Sequence, residues 1–523
     1  MSIISLQNLT FGYAGSPQNV FENINCDFDS DWKLGLVGRN GRGKSTLLAL
    51  LNGDYPYQGR IQASMQFSRY PFLLTEAQPA LIAIRNAIAP FSAWEEQMEN
   101  LLEQGSEDAL AAYGEIASRY SEQDGYIIDE LIRKECNKLG VAPTALTRQL
   151  HTLSAGERCK LMLAALFLRK NHFLLIDEPT NHLDLTGRKQ VAAYLSSKKG
   201  FLLISHDRWF LDQTVDHIMA LEKNQIVVQS CNYTTYAENK GSQDAFEIAQ
   251  NERLQQEIAV LEKSSREKAL WSDRIESSKI GAHVADRGYV GHKAAKMMHR
   301  SKAIEKRKSR SLDEKKALLQ NVEQAPELTL QQLKHHQNPL IAFQAVEFSY
   351  SGSPVWQNLS FKLKAGDRIC INGVNGSGKT TLLKIITGEL NPTAGELRRP
   401  KSIIISALSQ EISWLKGDLS HYISERQLPE TLMKTILRKL DFSRLDFNKP
   451  MELYSDGMKK KVLLAASLAT PAHLYLWDEP LNFIDIASRG QIENLILEAQ
   501  PTLIFVEHDQ YFQKKIATEI IQL

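Results

Sequence analysis

Two stretches of this 523-residue chain carry glycine, lysine and hydroxyl residues at the spacing of a phosphate-binding loop. The first is Gly38-Arg39-Asn40-Gly41-Arg42-Gly43-Lys44-Ser45-Thr46 and the second is Gly373-Val374-Asn375-Gly376-Ser377-Gly378-Lys379-Thr380-Thr381. Glycines let successive backbone N–H groups turn toward a phosphate, and the N-terminus of a following helix adds positive potential. Lys44 and Lys379 then neutralise β and γ phosphates, and the Ser45 and Thr380 hydroxyls ligate Mg²⁺. Each loop stands between an apolar strand (LGLVG; ICING) and an apolar helix (TLLALL; TLLKII), the setting this chemistry requires.

Further chemistry follows each loop in the same order. Asp177 and Asp478 end apolar runs and are each followed by a glutamate. A carboxylate at the C-terminal edge of a buried strand suits Mg²⁺, and Glu178 or Glu479 would orient an attacking water as general base. His206 and His508 lie 29 and 30 residues beyond those aspartates, again after apolar strands, which favours a γ-phosphate sensor over a structural histidine. Tyr13 and Tyr350 end the first strand of each copy. Packing in the core and stacking on adenine are equally open for them. Ser154 and Gly156, matched by Ser455 and Gly457, open helices just upstream of the acidic pairs. Such a serine can be an N-cap alone, or its helix start can meet a γ-phosphate across an interface.

The elements that must hold these residues come as two copies of one module. Tyr13 and Tyr350 are 337 residues apart and Lys44 and Lys379 are 335 apart, but Asp177 and Asp478 are only 301 apart. The first copy therefore carries roughly 34 extra residues within about 71–149. Helices are expected there at Ala80–Ala89, Ala93–Glu103, Glu107–Tyr120 and Tyr126–Leu139, punctuated by Gly105, Gly125 and Gly140. The modules are expected at 1–231 and 336–523. The segment 232–335 is too long for a loop. It reads as a two-helix linker, Gln243–Ser278 and Lys293–Val322, with a glycine-containing tip at about 279–291. Helices of that length reach about 45–55 Å.

Composition narrows the partners. With 62 basic and 61 acidic side chains, the chain is no uniformly basic nucleic-acid coat and no acidic tail. Five cysteines spread singly support neither a disulfide framework nor a zinc knuckle, which fits a reducing cytoplasm. No signal peptide or membrane span is read. Charge is concentrated locally: Trp271–Arg310 holds eleven basic and four acidic residues. That points to phosphate-backbone contact.

With these blocks in this order, the chain resembles the ABC ATPase superfamily: A-loop tyrosine, Walker A, signature, Walker B with its glutamate, D-loop and switch histidine. Two such modules, a helical insert in the first and a linker of roughly 100 residues resemble the ABC-F family of translation factors. GRNGRGKS, LIDEPTNHLD, YLWDEPLN and the MMHRSK stretch look similar to its Lsa/Vga-type antibiotic-resistance branch.

The resemblance implies an α/β fold of two tandem P-loop nucleotide-binding domains joined by an α-helical hairpin. It implies a cytoplasmic monomer whose domains close on two ATP molecules with Mg²⁺. Walker A of each domain would meet the signature of the other. It further implies binding to the large subunit of the 70S ribosome near the exit site, with ribosomal RNA and P-site tRNA as contacts and no stable membrane partner. The linker residues His283, Arg287, Tyr289, Lys293, Lys296 and Arg300 would make those contacts and displace a bound antibiotic, and hydrolysis would release the protein. A housekeeping factor gating elongation is the near alternative. The ATPase subunit of a membrane transporter is the alternative of another class.

Three departures from the family pattern are visible, one being that the second Walker B continues Leu481-Asn482-Phe483 where the first has Thr180-Asn181-His182. The second signature reads YSDGM, so the site it completes is expected to hydrolyse slowly. Gln410 fits a Q-loop ligand to Mg²⁺ in the second module. In the first, the matching position falls near Phe72, with Gln66 a poor substitute, so the sites are expected to be unequal.

Overall fold

The computed structural model describes residues 2–14, 19–74, 77–181, 183–222, 225–278, 328–350, 353–374 and 376–523, with the side chains of 261–278 and 353 excepted. The chain divides into two compact units, Met1–Thr234 with Ala325–Leu523, and Thr235–Gln324. Asn375, the tip, the second linker helix and all six linker contact residues fall outside the described residues.

The first module runs β1 (Ile3–Phe11), β2 (Phe21–Asp29), β3 (Lys33–Val37), α1 (Lys44–Asn52), β4 (Gln58–Gln62) and β5 (Gln66–Tyr70). Four helices follow: α2 (Ala80–Ile88), α3 (Phe91–Gln104), α4 (Glu107–Glu122) and α5 (Ile128–Lys138). The module ends with α6 (Ala155–Leu168), β6 (His172–Asp177), α7 (Leu185–Ser196), β7 (Phe201–Ile204), α8 (Arg208–Thr214), β8 (His217–Leu221) and β9 (Ile226–Gln229). Strand order in its main sheet is β5-β6-β7-β3-β8-β9. The strands β5, β6, β7, β3 and β8 run parallel and β9 antiparallel to β8. Runs such as Phe173–Ile176 and Phe201–Ile204 are buried throughout, as strands covered on both faces must be. A three-stranded antiparallel sheet, β2-β1-β4, shares a core with that sheet and α1 through Phe28, Phe173, Leu47 and Leu202.

Helix α9 (Tyr233–Ser278) follows; it begins ahead of the expected Gln243 because Gly241 is accommodated inside it. Along it Ile258 is buried and Leu254 half-buried, as their helical spacing requires.

The second module repeats the plan: β10 (Ile341–Tyr350), β11 (Ser353–Leu363), β12 (Arg368–Asn372), α10 (Lys379–Thr387), β13 (Ala394–Arg398) and β14 (Ile405–Leu408). Then come α11 (Leu419–Glu425), α12 (Glu430–Lys439), α13 (Asp456–Ala469), β15 (Leu474–Asp478), α14 (Ile486–Ala499), β16 (Leu503–Val506), α15 (Gln510–Ile516) and β17 (Glu519–Gln522). Its main sheet is β14-β15-β16-β12-β17 and its antiparallel sheet β11-β10-β13. The expected start at 336 is too late. Leu328 is buried in the core with Tyr475 and Phe512, and Leu333 N donates to Ala472 O at 2.8 Å, so these residues belong to the second module.

The extra length of the first copy is the α3–α4 hairpin, since the second module has only α11 and α12 at the place of α2 and α5. Gly105 turns the chain at φ 61°, and Ser106 caps α4 by accepting from Ala109 N. Phe91 is fully buried at its base. There Glu95 accepts from Tyr120 Oη at 2.6 Å and pairs with Arg85 of α2.

Candidate nucleotide sites

Both phosphate loops have the conformation their glycines were expected to provide. Gly41 and Gly43 take φ of 81° and 94°, and Gly376 and Gly378 take 84° and 90°. These left-handed values suit glycine. A Cβ at Gly41 or Gly376 meets nothing within 4 Å, so open space lies where a phosphate would approach. Lys44 Nζ donates to Gly38 O at 2.7 Å, Arg39 O at 3.2 Å and Asn40 Oδ1 at 3.2 Å. Lys379 Nζ donates to Gly373 O at 2.9 Å and Val374 O at 3.0 Å. Burial lowers the pKa of both ammonium groups, which an anion in the loop would relieve. Ser45 and Thr380 are exposed at the first turn of their helices, and Ser377 lies in the second loop.

Tyr13 and Tyr350 are not core residues: they are 44% and 51% exposed. Each is fixed edge-on against a strand phenylalanine, Phe11 at 5.0 Å and Phe348 at 4.9 Å. Each hydroxyl bonds a threonine of the loop helix, Thr46 at 2.8 Å and Thr381 at 3.2 Å. An aromatic face is thus presented beside each phosphate loop.

The acidic pairs end β6 and β15. Thr380 Oγ1 donates to Asp478 Oδ2 at 3.0 Å, and the Ser45 hydroxyl lies close enough to Asp177 to favour its ionised form. Hydroxyl and carboxylate oxygens are hard donors that fit Mg²⁺. Among the described residues no group of three or more His, Cys, Asp or Glu is gathered for a metal, so such an ion would complete its shell with water and phosphate. Glu178 and Glu479 have φ of 50° and 49°, a strained conformation for a non-glycine residue, held at the same place in both copies. His206 Nε2 is 3.4 Å from Glu178 Oε1, and His508 Nε2 is 3.6 Å from Glu479 Oε1. Glu178 Oε1 is buried without a hydrogen-bond partner, an acceptor in search of a donor such as water.

The two carboxyls are tuned apart. Burial, then repulsion from Asp177, raises Glu178 to about 8. Burial also opposes ionisation of Glu479, but the nearby His508 and the charges of Lys460 and Lys379 outweigh it and hold the group below its usual range. His206 is pushed well below its usual value by burial, then by Lys44 and by Arg489 of the second module.

Ser154 and Ser455 are both N-caps, accepting from Glu157 N at 3.2 Å and Met458 N at 3.3 Å. Ser154 adds a capping box through Glu157, which Met458 cannot provide. The second signature also faces the first module: a Cβ at Gly457 would stand 3.6 Å from Asn40 Nδ2, and Asn40 Nδ2 donates to Phe483 O at 3.3 Å. Arg39 pairs with Asp441 at 3.2 Å. On the other side, Asp184, which caps the helix after the first acidic pair, bears electrostatically on Lys379. Gly156 is half-buried at the start of α6. The modules are clamped further by Arg208, which meets Glu493 at 3.0 Å and lies 5.0 Å over the ring of Tyr511. Arg42 lies in the same first loop, where Arg39 and Asp441 act on it.

Register explains the missing glutamine. Tyr70 pairs with Ile176 and Leu408 with Trp477, each one residue before the aspartate of the acidic pair, so Phe72 stands where the second module has Gln410. Gln410 Nε2 donates to Glu479 Oε2 at 2.7 Å, leaving its oxygen available to a cation. Phe72 lies under Arg169 at 5.0 Å. Gln66 pairs with His172 at the far end of the strand. Sequence reasoning missed Arg69, whose guanidinium is 3.2 Å from Asp177 Oδ2, and Lys460, a buried ammonium bonded to Asp478 O and Ser409 O at 3.1 Å. The second lay within the run Lys459-Lys460-Lys461 at the start of a helix whose later part is apolar, so nothing singled it out; the first gave no signal.

The family profile described as ABC transporter matches residues 21–181 and 356–482. The chain is 26% identical over 98% of its length to the ribosome protection protein VmlR of Bacillus subtilis, covering 85% of that protein. It is 26% identical over 99% of its length to ABC transporter F family member 5 of Arabidopsis thaliana, covering 75% of it. Among solved structures, the archaeal ribosome recycling factor in complex with a ribosomal stalk protein superposes with a TM-score of 0.55 at 17% identity, over 98% of this chain and 87% of that one. That likeness is one of fold. No described helix is long and apolar enough to cross a membrane. The chain is an ATPase that belongs to the ABC transporter family, in its ABC-F branch.

Proposed function

We propose that this ATPase binds the ribosome and protects it from an antibiotic acting at the peptidyl-transferase region of the large subunit. The single observation carrying the ATP half is the pairing of the second module's Gly457 and Phe483 with the first module's Asn40, which supports closure of the modules over nucleotide. The ribosomal half rests on similarity to VmlR over nearly the whole chain and on the basic stretch 271–310. On this reading Lys44 and Lys379 hold phosphates, and Ser45 with Asp177, and Thr380 with Asp478 and Gln410, hold Mg²⁺. When bound, the ion offsets charge on the phosphates. Tyr13 and Tyr350 stack on adenine, Glu178 and Glu479 take a proton from water, and His206 and His508 position that carboxyl and the γ-phosphate. The monomer works in the cytoplasm, and its linker reaches ribosomal RNA and P-site tRNA. A housekeeping role in elongation uses the same machinery and differs only in its outcome.

The test is co-sedimentation of the Glu178→Gln/Glu479→Gln chain with 70S ribosomes in ATP. Retention on ribosomes, reversed by high salt, is expected; recovery with membranes instead would support a transporter subunit. Expression in a drug-sensitive bacterium, assayed against lincosamide, streptogramin A, pleuromutilin, macrolide and phenicol drugs, separates protection from housekeeping. Deleting 280–290 should abolish any protection while ATP hydrolysis continues.

A further inference from the structure

The two metal-binding aspartates have different neighbours. On β5, Arg69 pairs in register with Leu175, two residues before Asp177; on β14 the corresponding residue is Ala407, opposite Leu476, two before Asp478. Arg69 places its guanidinium 3.2 Å from Asp177 Oδ2 and 3.6 Å from Asp54 Oδ2. Cavities open at both places: one of about 520 Å³ beside Ala407 is lined in part by Thr380 and Asp478, while one of about 400 Å³ is lined by Arg69, Asp54 and Phe72 but not by Asp177. Arg69 is 28% exposed, so its charge is only partly screened by water. A guanidinium does not deprotonate at working pH, so the positive charge is permanent. The glutamine that would add a metal ligand is also absent at this site, Phe72 being held under Arg169.

We infer that Arg69 is a resident counter-cation at the first nucleotide site, so that this site keeps ATP with little dependence on a divalent metal while the second site depends on it. A cation already paired with Asp177 lowers the attraction of that carboxylate for Mg²⁺. Its charge, shared with Asp54, also stands at the carboxylate where the metal would stand at the other site. The inference rests on the nucleotide sites alone.

The test titrates a fluorescent ATP analogue into the full chain, with Mg²⁺ or with EDTA. Lys379→Ala silences the second loop and reports the first site; Lys44→Ala reports the second. Mg²⁺ should tighten binding by less than about 5-fold in Lys379→Ala and by more than about 20-fold in Lys44→Ala. Adding Arg69→Ala to Lys379→Ala should raise the metal dependence about tenfold, chiefly by weakening binding in EDTA, and Arg69→Lys should keep it low. An unchanged ratio in Arg69→Ala overturns the inference. Should that variant not fold, Ala407→Arg on the Lys44→Ala background decides: reduced metal dependence supports the inference and an unchanged ratio overturns it. No ribosome is present in the assay, so its failure leaves the ribosomal reading untouched.

Discussion

Replacing Gly457 by alanine should loosen the clamp at the first nucleotide site. The added Cβ would lie 2.7 Å from Phe483 O, a backbone atom, well inside ordinary van der Waals contact. Phe483 cannot easily yield, because it already sits at φ 62°. Its carbonyl is the acceptor for Asn40 Nδ2 across the module interface. Overpacking of this kind costs about 1–3 kcal/mol, and the lost hydrogen bond adds about 0.5–1.5 kcal/mol. Module pairing should therefore weaken by a factor of at least about ten. The assay is ATP-driven closure of the Glu178→Gln/Glu479→Gln chain, followed with one fluorophore on each module. Gly457→Ala should shift half-closure to about tenfold higher ATP. Gly490→Ala is the control: it lies within α14 with open space around it, and should be neutral or stabilise by about 0.5–1 kcal/mol. Closure of Gly457→Ala at the same ATP concentration as its parent would refute the interface.

The double change Glu178→Gln/Glu479→Gln should keep ATP binding and lower phosphate release by about 10²–10⁴, and an undiminished rate would remove both residues from the chemistry. Of the single-site variants, Lys379→Ala should lose more steady-state hydrolysis than Lys44→Ala, since the second site keeps Gln410 and an ionised Glu479; the reverse order would contradict the assignment. Lys461→Met leaves the Asp485 carboxylate, 0% exposed, without its ion-pair partner. Denaturant unfolding should show a loss of about 3–5 kcal/mol, and a loss below about 1 kcal/mol would mean the pair is not formed. Burial opposes ionisation of Glu135, but hydrogen bonds from Lys138, Lys198 and Tyr194 outweigh it and hold the carboxyl at about 2. With the folded value below the unfolded one of about 4.3, this stabilisation is complete above that pH and fades as pH falls toward 2. Glu135→Gln should therefore cost about 1–2 kcal/mol at pH 7, after allowance for screening, and almost nothing near pH 2. A pH-independent difference would rule out the ionic bonds.

What was legible in the sequence was chemistry written into contiguous residues. The phosphate loops, acidic pairs and histidines each span a few positions, and their setting between strand and helix follows from local apolar runs. The helices of the first module's insert were bounded within a few residues because Gly105 and Gly140 both take the left-handed conformation that ends a helix. The offset between copies located the extra length, but not that it is the α3–α4 hairpin. That required seeing which helices the second module lacks. Leu328 reads as linker because its partners, Tyr475 and Phe512, lie far along the chain. Arg69 was invisible for the same reason: it reaches Asp177, 108 positions away, through pairing of β5 with β6. Motif reading has no access to such contacts, since the residue belongs to no motif and its partner is a neighbour only in the sheet.

The cross-module contacts carry a consequence for how hydrolysis and closure are joined. Arg489 of the second module opposes the upward shift of Glu178, and Lys461, Asp485 and Arg489 all act on His206. The environment of the first acid and its histidine is therefore completed by residues of the second module. Asn40 and Arg39, which contact the second module, belong to the same loop that holds phosphate. A nucleotide bound there meets both modules, so it favours the closed state by its differential affinity for that state. On the proposed function, cleavage of the γ-phosphate would remove part of that difference and let the modules open. If Arg69 offsets Asp177 as inferred, less of the difference would be lost there, and the first site is expected to be the persistent half of the clamp and the second the half that turns over.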